Sequence, residues 1–338
     1  MSASAVVSGH AGFDMREKTS TVLRRLIEAD EILLRPGIAI AIHAQIAEAQ
    51  GFKAVGLSGA NMAAHVLGLP DAGLITQSEV VENARRVCNA VRIPVIVDCD
   101  TGFGNAINVR RTVKDVIQAG AAGMFFEDQV APKRCGFVKG KELISIDEAV
   151  GKYRAAVDMR DELDPDFVVI ARTDARTAVD GSMDEVIRRA RAYKAAGVDM
   201  IYVEALQTID EIKLARAEIE GPITCTFRAI DPAPSLQDMQ EWGLSMTSGT
   251  MFFKAGLVAM WDLLEDMKTR GMDPYNEFMS KVNDHPLGGF GGFDLAGFPE
   301  VVEMENRYLS PEQLSKYDKT IGLYDPRVGH HAAARRKV

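Results

Sequence analysis

Cysteine is scarce in this chain, and none of it is paired. Cys88, Cys99, Cys135 and Cys225 stand far apart with no CxxC among them, so neither a zinc knuckle nor a disulfide framework is expected, and a reducing cytoplasm is the simplest setting. No apolar run approaches the roughly 18 residues of a membrane span. The opening MSASAVVSGHAGFDMREK lacks both a basic leader and a sustained apolar stretch, which argues against a signal peptide. Basic charge is also short. Lys and Arg number 39 against 48 Asp and Glu, a formal net charge of −9, whereas a nucleic-acid binder usually carries a basic face. The terminal Arg335, Arg336 and Lys337 read as a solvated tail. There is no GxGxxG, and GFGN at 102–105 is too short to cradle a phosphate.

What the chain has is rhythm. Short apolar runs alternate with amphipathic helical patterns, the mark of βα units around a parallel sheet. The strands are expected at GIAIAI (37–42), KAVGLSG (53–59), PVIVDCD (94–100), GMFFED (123–128), DFVVIART (166–173), DMIYVEA (199–205), PITCTF (222–227) and LSMTSG (244–249). A helical pattern follows each one, the last being AGLVAMWDLLEDMKTRG. Eight such units predict a (β/α)8 TIM-type barrel over 37–270. A leader with one helical segment, TSTVLRRLIEADEI, occupies 1–36. Past about 271 the rhythm stops, and 271–338 is expected to be a C-terminal helical extension docking on a neighbouring subunit.

In such a barrel the site lies where the strands end, and the polar residues collect there. Ser58 and Gly59 end strand two, Asp98 and Asp100 strand three, Glu127 and Asp128 strand four. Arg172 and Asp174 end strand five and Glu204 strand six, while Arg228 follows strand seven. Charges from so many strand ends point to an enzyme rather than a non-catalytic binding protein that keeps the barrel. Asp98 and Asp100, two apart on a strand, should leave on one side. With Glu127 beside them they suit a hard cation, Mg²⁺ or alternatively Mn²⁺, held by oxygen ligands; the other reading is that the aspartates cap the next helix. Cys135 lies in PKRCGF, where Lys133 and Arg134 are expected to lower its pKa and make it a proton carrier. Arg172 could clamp a substrate carboxylate through its guanidinium fork, or pair with Asp174 or Glu204. His43 and His65 read as structural.

The runs SGANMAAHVLGLPD (58–71), VDCDTGFGNAINVRRTVKDVIQAGAAGMFFEDQVAPKRCG (97–136), DPDFVVIARTDA (164–175) and VEA (203–205) resemble the isocitrate lyase/phosphoenolpyruvate mutase superfamily, within it the smaller lyases of the methylisocitrate and dimethylmalate lyase type. The similarity spans roughly 37–265. It implies Asp71, Asp98, Asp100 and Glu127 around Mg²⁺, directly or through water. Ser58, Gly59 and Ala60 would contact an α-oxo acid, Arg172 would hold its carboxylate and Glu204 would complete the wall. Cys135, followed by Gly136, would be the general acid on a loop that closes over substrate. The implied reaction is cleavage of a 2-hydroxy di- or tricarboxylate to an α-oxo acid and a second acid. Oxaloacetate-type hydrolysis or decarboxylation, or phosphonate chemistry, are the alternatives on the same platform. A homotetramer exchanging C-terminal helices is also implied. Three positions depart from the pattern: Phe125 and Phe137 stand where relatives usually carry histidine, and Arg228 stands where many carry an asparagine segment. Less polar walls suggest a smaller or more apolar substrate than a tricarboxylate; Arg228 could instead take a second carboxylate.

Overall fold

A computed structural model of the chain describes residues 17–227, 230–249 and 253–327. Eight parallel strands close in sequence order: β1 (Leu33–Ile38), β2 (Val55–Leu57), β3 (Val95–Asp98), β4 (Gly123–Glu127), β5 (Val168–Thr173), β6 (Met200–Leu206), β7 (Ile223–Phe227) and β8 (Met246–Gly249), with β8 pairing back onto β1. Around them run α2 (Ala41–Ala49), α3 (Gly59–Met62), α4 (Gln77–Ala90), α5 (Ala106–Gln118), α6 (Ile146–Leu163), α7 (Met183–Ala195), α8 (Ile209–Glu218) and α9 (Leu236–Glu241). Every residue of β2 to β6 is buried, as parallel strands covered on both faces require. The eight-stranded barrel that the alternation predicts is the fold.

Two apolar layers hold it. Val95, Val97, Val169 and Ile201 face outward onto Val113, Val116, Tyr153 and Ile212 of the helices. Their neighbours Ile96, Phe125, Ile170, Met200 and Tyr202 fill the barrel interior with Leu33 and Met246. The preceding helix α1 (Thr19–Glu28) adds Leu23 and Ile27 to this interior cluster. It is the helical segment expected within the leader, and its apolar residues at i and i+4 form one stripe toward the barrel.

Strand β1 differs from expectation. It begins at Leu33 and includes Pro36, and the predicted tail of the strand instead opens α2 at Ala41. The run GIAIAI contains no turn residue between strand and helix, so its apolar pattern cannot mark the boundary.

The barrel body ends at Phe253, and a second compact unit starts at Lys254. It contains α10 (Lys254–Arg270), α11 (Asp273–Lys281), α12 (Gly291–Leu295), α13 (Phe298–Tyr308) and α14 (Pro311–Leu314). The helix predicted to complete the eighth unit, α10, thus groups with the extension. None of its residues is buried, and Leu257, Val258, Met260, Trp261 and Leu264 are exposed. Among the described residues no helix is long and apolar enough to cross a membrane.

Candidate active site

The two-residue period of the strands builds the site. Asp98, Glu127, Arg172 and Glu204 each stand two positions beyond an interior apolar residue (Ile96, Phe125, Ile170 and Tyr202), so all four continue the inward-facing set at the strand ends. All are buried. Asp128, one residue out of phase, faces the helices instead. Its carboxylate accepts hydrogen bonds from Tyr193 at 2.7 Å, Thr173 at 2.8 Å and Arg189 at 3.2 Å, which makes it a structural tie to α7.

Asp98 and Asp100 do not leave one strand face together. Strand β3 ends at Asp98, and Asp100 lies in a turn with φ 47, a left-handed conformation that non-glycine residues adopt at some cost. Asp98 holds this turn: its Oδ1 accepts the Asp100 N–H at 3.1 Å, and its Oδ2 accepts the Gly59 N–H at 2.9 Å. Gly59 is a close-approach position. A Cβ there would lie 2.8 Å from Asp100 Oδ1 and 3.1 Å from Asp98 Oδ2. Beside it, Ser58 caps α3 by accepting the Asn61 N–H, and Ala60 sits in the helix's first turn.

The carboxylates face a lysine. Lys133 Nζ is 2.5 Å from Asp71 Oδ1, 3.2 Å from Asp100 Oδ1 and 3.7 Å from Glu127 Oε1. Among the described residues no three His, Cys, Asp or Glu side chains form a ready-made metal-ligand group. Burial pushes Glu127 well above the usual carboxylate range and lifts Asp100 to about 6, Lys133 working against both rises. Burial opposes the charge on Lys133, but the four surrounding carboxylates outweigh it and hold its pKa well above the ordinary value. Glu127 Oε2 and Glu204 Oε2 are buried without a hydrogen-bond donor, while Asp100 Oδ1 has only the Lys133 ammonium beside it.

Across the mouth, Arg172 commits Nε and Nη2 to Asp174 at 3.0 and 3.1 Å, with Glu204 at 3.6 Å and Glu127 at 3.9 Å. The pairing with Asp174 that the sequence left open is therefore present. Its guanidinium also lies over Tyr202, 5.3 Å from the ring centre. The loop carrying Cys135 is tied down by Gln129, whose side chain accepts the Arg134 N–H and donates to the Arg134 carbonyl, both at 2.9 Å. Gly136 rests on Glu204: a Cβ there would be 2.2 Å from Glu204 Oε1. Arg228 lies outside the described residues.

Residues 23–268 match the family model described as phosphoenolpyruvate phosphomutase. The chain belongs to the phosphoenolpyruvate phosphomutase family. It is 36% identical over 299 residues to 2,3-dimethylmalate lyase of Eubacterium barkeri, covering 86% of this chain and 99% of that one. It is 37% identical over 283 residues to 2-methylisocitrate lyase of Aeropyrum pernix, covering 82% and 90%. Among solved structures, phosphonopyruvate hydrolase in complex with oxalate and Mg²⁺ matches with a TM-score of 0.76 at 28% identity, covering 87% of this chain and all of that one.

In this family member the Cys135 thiol contradicts the expectation of a lowered pKa. Burial raises it; the Phe137 N–H opposes that rise, the Asp71 carboxylate adds to it, and Lys133 opposes it again. The net direction is upward because burial, reinforced by Asp71, outweighs the Phe137 N–H and Lys133. Cys135 thus keeps its proton at neutral pH, as a proton donor should. The sequence reading passes over the structural use of Gln129, Lys133 and Lys141. Gln129 and Lys133 stand just beyond β4 in EDQ and PKRCG, whereas nothing in the sequence singles out Lys141.

Proposed function

We propose that the protein is a Mg²⁺-dependent carbon–carbon lyase that cleaves a 2-hydroxy di- or tricarboxylate, of the dialkylmalate or methylisocitrate type, to pyruvate or glyoxylate and a second carboxylic acid. The observation that carries this is the arrangement of the mouth: an all-oxygen acidic set on one side, Arg172 and Glu204 on the other, and the half-buried free thiol of Cys135 on the loop that rests on Glu204.

The residues suit a divalent cation by charge. Lys133, Lys141, Arg172 and, beneath them, Arg35 face Asp71, Asp98, Asp100, Glu127, Asp174 and Glu204. Four cations against six carboxylates leave a formal excess of two negative charges, and Glu127 keeps a buried oxygen with no donor. Asp71, Asp100 and Glu127 would hold Mg²⁺, with Asp98 fixing the turn that presents Asp100. The chemistry such an ion supplies is Lewis acidity toward the 2-hydroxyl and its neighbouring carboxylate.

The chain's own groups do the rest. Arg172, oriented by Asp174, faces the carboxylate of the oxo-acid half and stabilises charge there. As a base takes the hydroxyl proton, the O–H electrons form the new C=O and the C2–C3 pair stays on C3. Cys135 then gives its proton to C3 as general acid. The loop pinned by Gln129 shields this step from water. Phe125 and Tyr202 packed edge to face at 5.4 Å give the interior an apolar floor, which favours a dialkylmalate-like acid over a tricarboxylate. The exposed apolar residues of α10 support a homotetramer in which C-terminal helices are exchanged, and the four free cysteines support a reducing cytoplasm. The test is release of an α-oxo acid from 2,3-dimethylmalate, methylisocitrate, isocitrate, malates and oxaloacetate. Pyruvate or glyoxylate from a hydroxy acid, abolished by EDTA, is expected. Turnover of oxaloacetate alone would replace the lyase reading with the hydrolase or decarboxylase one.

A further inference from the structure

Lys141 has no part in the scheme above, yet it is a cation with 1% exposure, and a buried ammonium persists only where its partners are well placed. Its Nζ donates to the Gly136 carbonyl and, at 2.6 Å, to Thr177 Oγ1, and it pairs with Asp174 Oδ1 at 3.5 Å. These partners belong to different halves of the site. Gly136 follows Cys135 directly, so its carbonyl fixes the peptide next to the thiol. Asp174 is the carboxylate that grips Arg172 through both oxygens. Thr177 follows β5 and accepts the third contact. The backbone repeats the connection, with the Val179 N–H donating to the Lys141 carbonyl at 2.9 Å. The opposite arm of the loop is held separately, by the Gln129 amide on Arg134.

We propose that Lys141 is a positioning residue that latches the Cys135 loop to the Arg172–Asp174 pair, so that one ammonium sets the thiol in register with the oxo-acid end of the site. The consequence for proton delivery rests on the lyase reading; the latch itself rests on the contacts alone. Asp174 remains bidentate on Arg172 without Lys141, so the oxo-acid end should survive its loss while the thiol end does not.

The experiment uses the full-length protein and its Lys141→Met variant, which keeps the stem and removes the ammonium. Trypsin nicking after Arg134 and Lys139, resolved by peptide mass, reads the loop directly and needs no turnover. It is expected to accelerate about tenfold in the variant, as a local opening would, while cleavage elsewhere in the barrel is unchanged. In the lyase assay kcat should fall about 10²-fold, the scale of a misplaced catalytic group, with inhibition by oxalate changed less than about threefold. A purely structural role would instead raise nicking at all sites together. Unchanged nicking in the loop, or a kcat equal to wild type, overturns the proposal. Should Lys141→Met not fold, Thr177→Val removes one contact and leaves the ion pair, and unchanged nicking in that variant overturns it equally. If the wild type releases no oxo acid from any hydroxy acid, the lyase reading fails, and the nicking comparison still decides the latch.

Discussion

Gly136→Ala tests whether the Cys135 loop and the Glu204 wall fit as tightly as the structure has them. The added Cβ would lie 2.2 Å from Glu204 Oε1, 2.5 Å from its Cδ and 2.6 Å from its Cγ, whereas ordinary contact begins near 3.4 Å. Loop and carboxylate must therefore separate by about 1.2 Å, the difference between 2.2 and 3.4 Å. Glu204 has little room to yield. It is 2% exposed and lies 3.6 Å from Arg172. The loop should move instead, carrying Cys135 with it and loosening the hold of Lys141 on the Gly136 carbonyl. Overpacking of this kind costs about 1–3 kcal/mol, and a shift of about 1 Å at a reacting group lowers kcat about 10²-fold. The control is Gly151→Ala in α6, where nothing lies within 4 Å of the new Cβ and helix propensity should add about 0.5–1 kcal/mol of stability. Denaturant titration and steady-state kinetics on both variants give the comparison. A Gly136→Ala protein as stable and as active as wild type would refute the tight fit and show that Glu204 swings aside freely.

Three further outcomes follow from the site. Cys135→Ser should lower kcat about 10²–10⁴-fold, the usual contribution of a general acid, with oxalate binding retained in calorimetry; an unaffected rate removes the thiol from the chemistry. Because the Cys135 pKa lies above that of an ordinary thiol, the reactive proton is present through neutral and mildly alkaline pH and is lost only as pH rises through the raised value. Peptide-resolved alkylation by iodoacetamide at pH 8 should accordingly be slower at Cys135 than for a free thiol, and a faster rate would show a lowered pKa. Gly59→Ala drives a methyl against Asp100 and Asp98 and should weaken Mg²⁺ binding about 10–100-fold, the scale seen when groups orienting metal ligands are disturbed; unchanged Mg²⁺ affinity in calorimetry would contradict the placement of those carboxylates.

The barrel was legible because parallel strands leave an unmistakable apolar run, and the site was legible wherever a polar residue kept phase with that run. Asp98, Glu127, Arg172 and Glu204 all satisfy this, and Asp128 fails it by one position. Legibility ended where the backbone leaves the strand. The turn at Asp100 has φ 47, so counting residues along a strand could not aim its side chain. The partners of Lys133, Lys141 and Gln129 come from segments distant in sequence or from loop geometry, which periodicity does not encode. Charge proximity in sequence misleads at Cys135, since burial of the thiol and the nearby Asp71 outweigh the lowering effect of Lys133, which is itself paired with Asp71, Asp100 and Glu127. At the chain level the helical pattern of TSTVLRRLIEADEI marks α1, but its short stripe does not show that Leu23 and Ile27 join the interior cluster. Helix α10 was counted with the barrel because its length and spacing fit the rhythm, although none of its residues is buried.

The most direct measurement is α-oxo-acid release by the purified protein with Mg²⁺, run across the hydroxy-acid panel with and without EDTA. The account predicts pyruvate or glyoxylate from a dialkylmalate or methylisocitrate, in equal amount to the second acid and lost on chelation. Silence on every hydroxy acid, with oxaloacetate consumed instead, would contradict it.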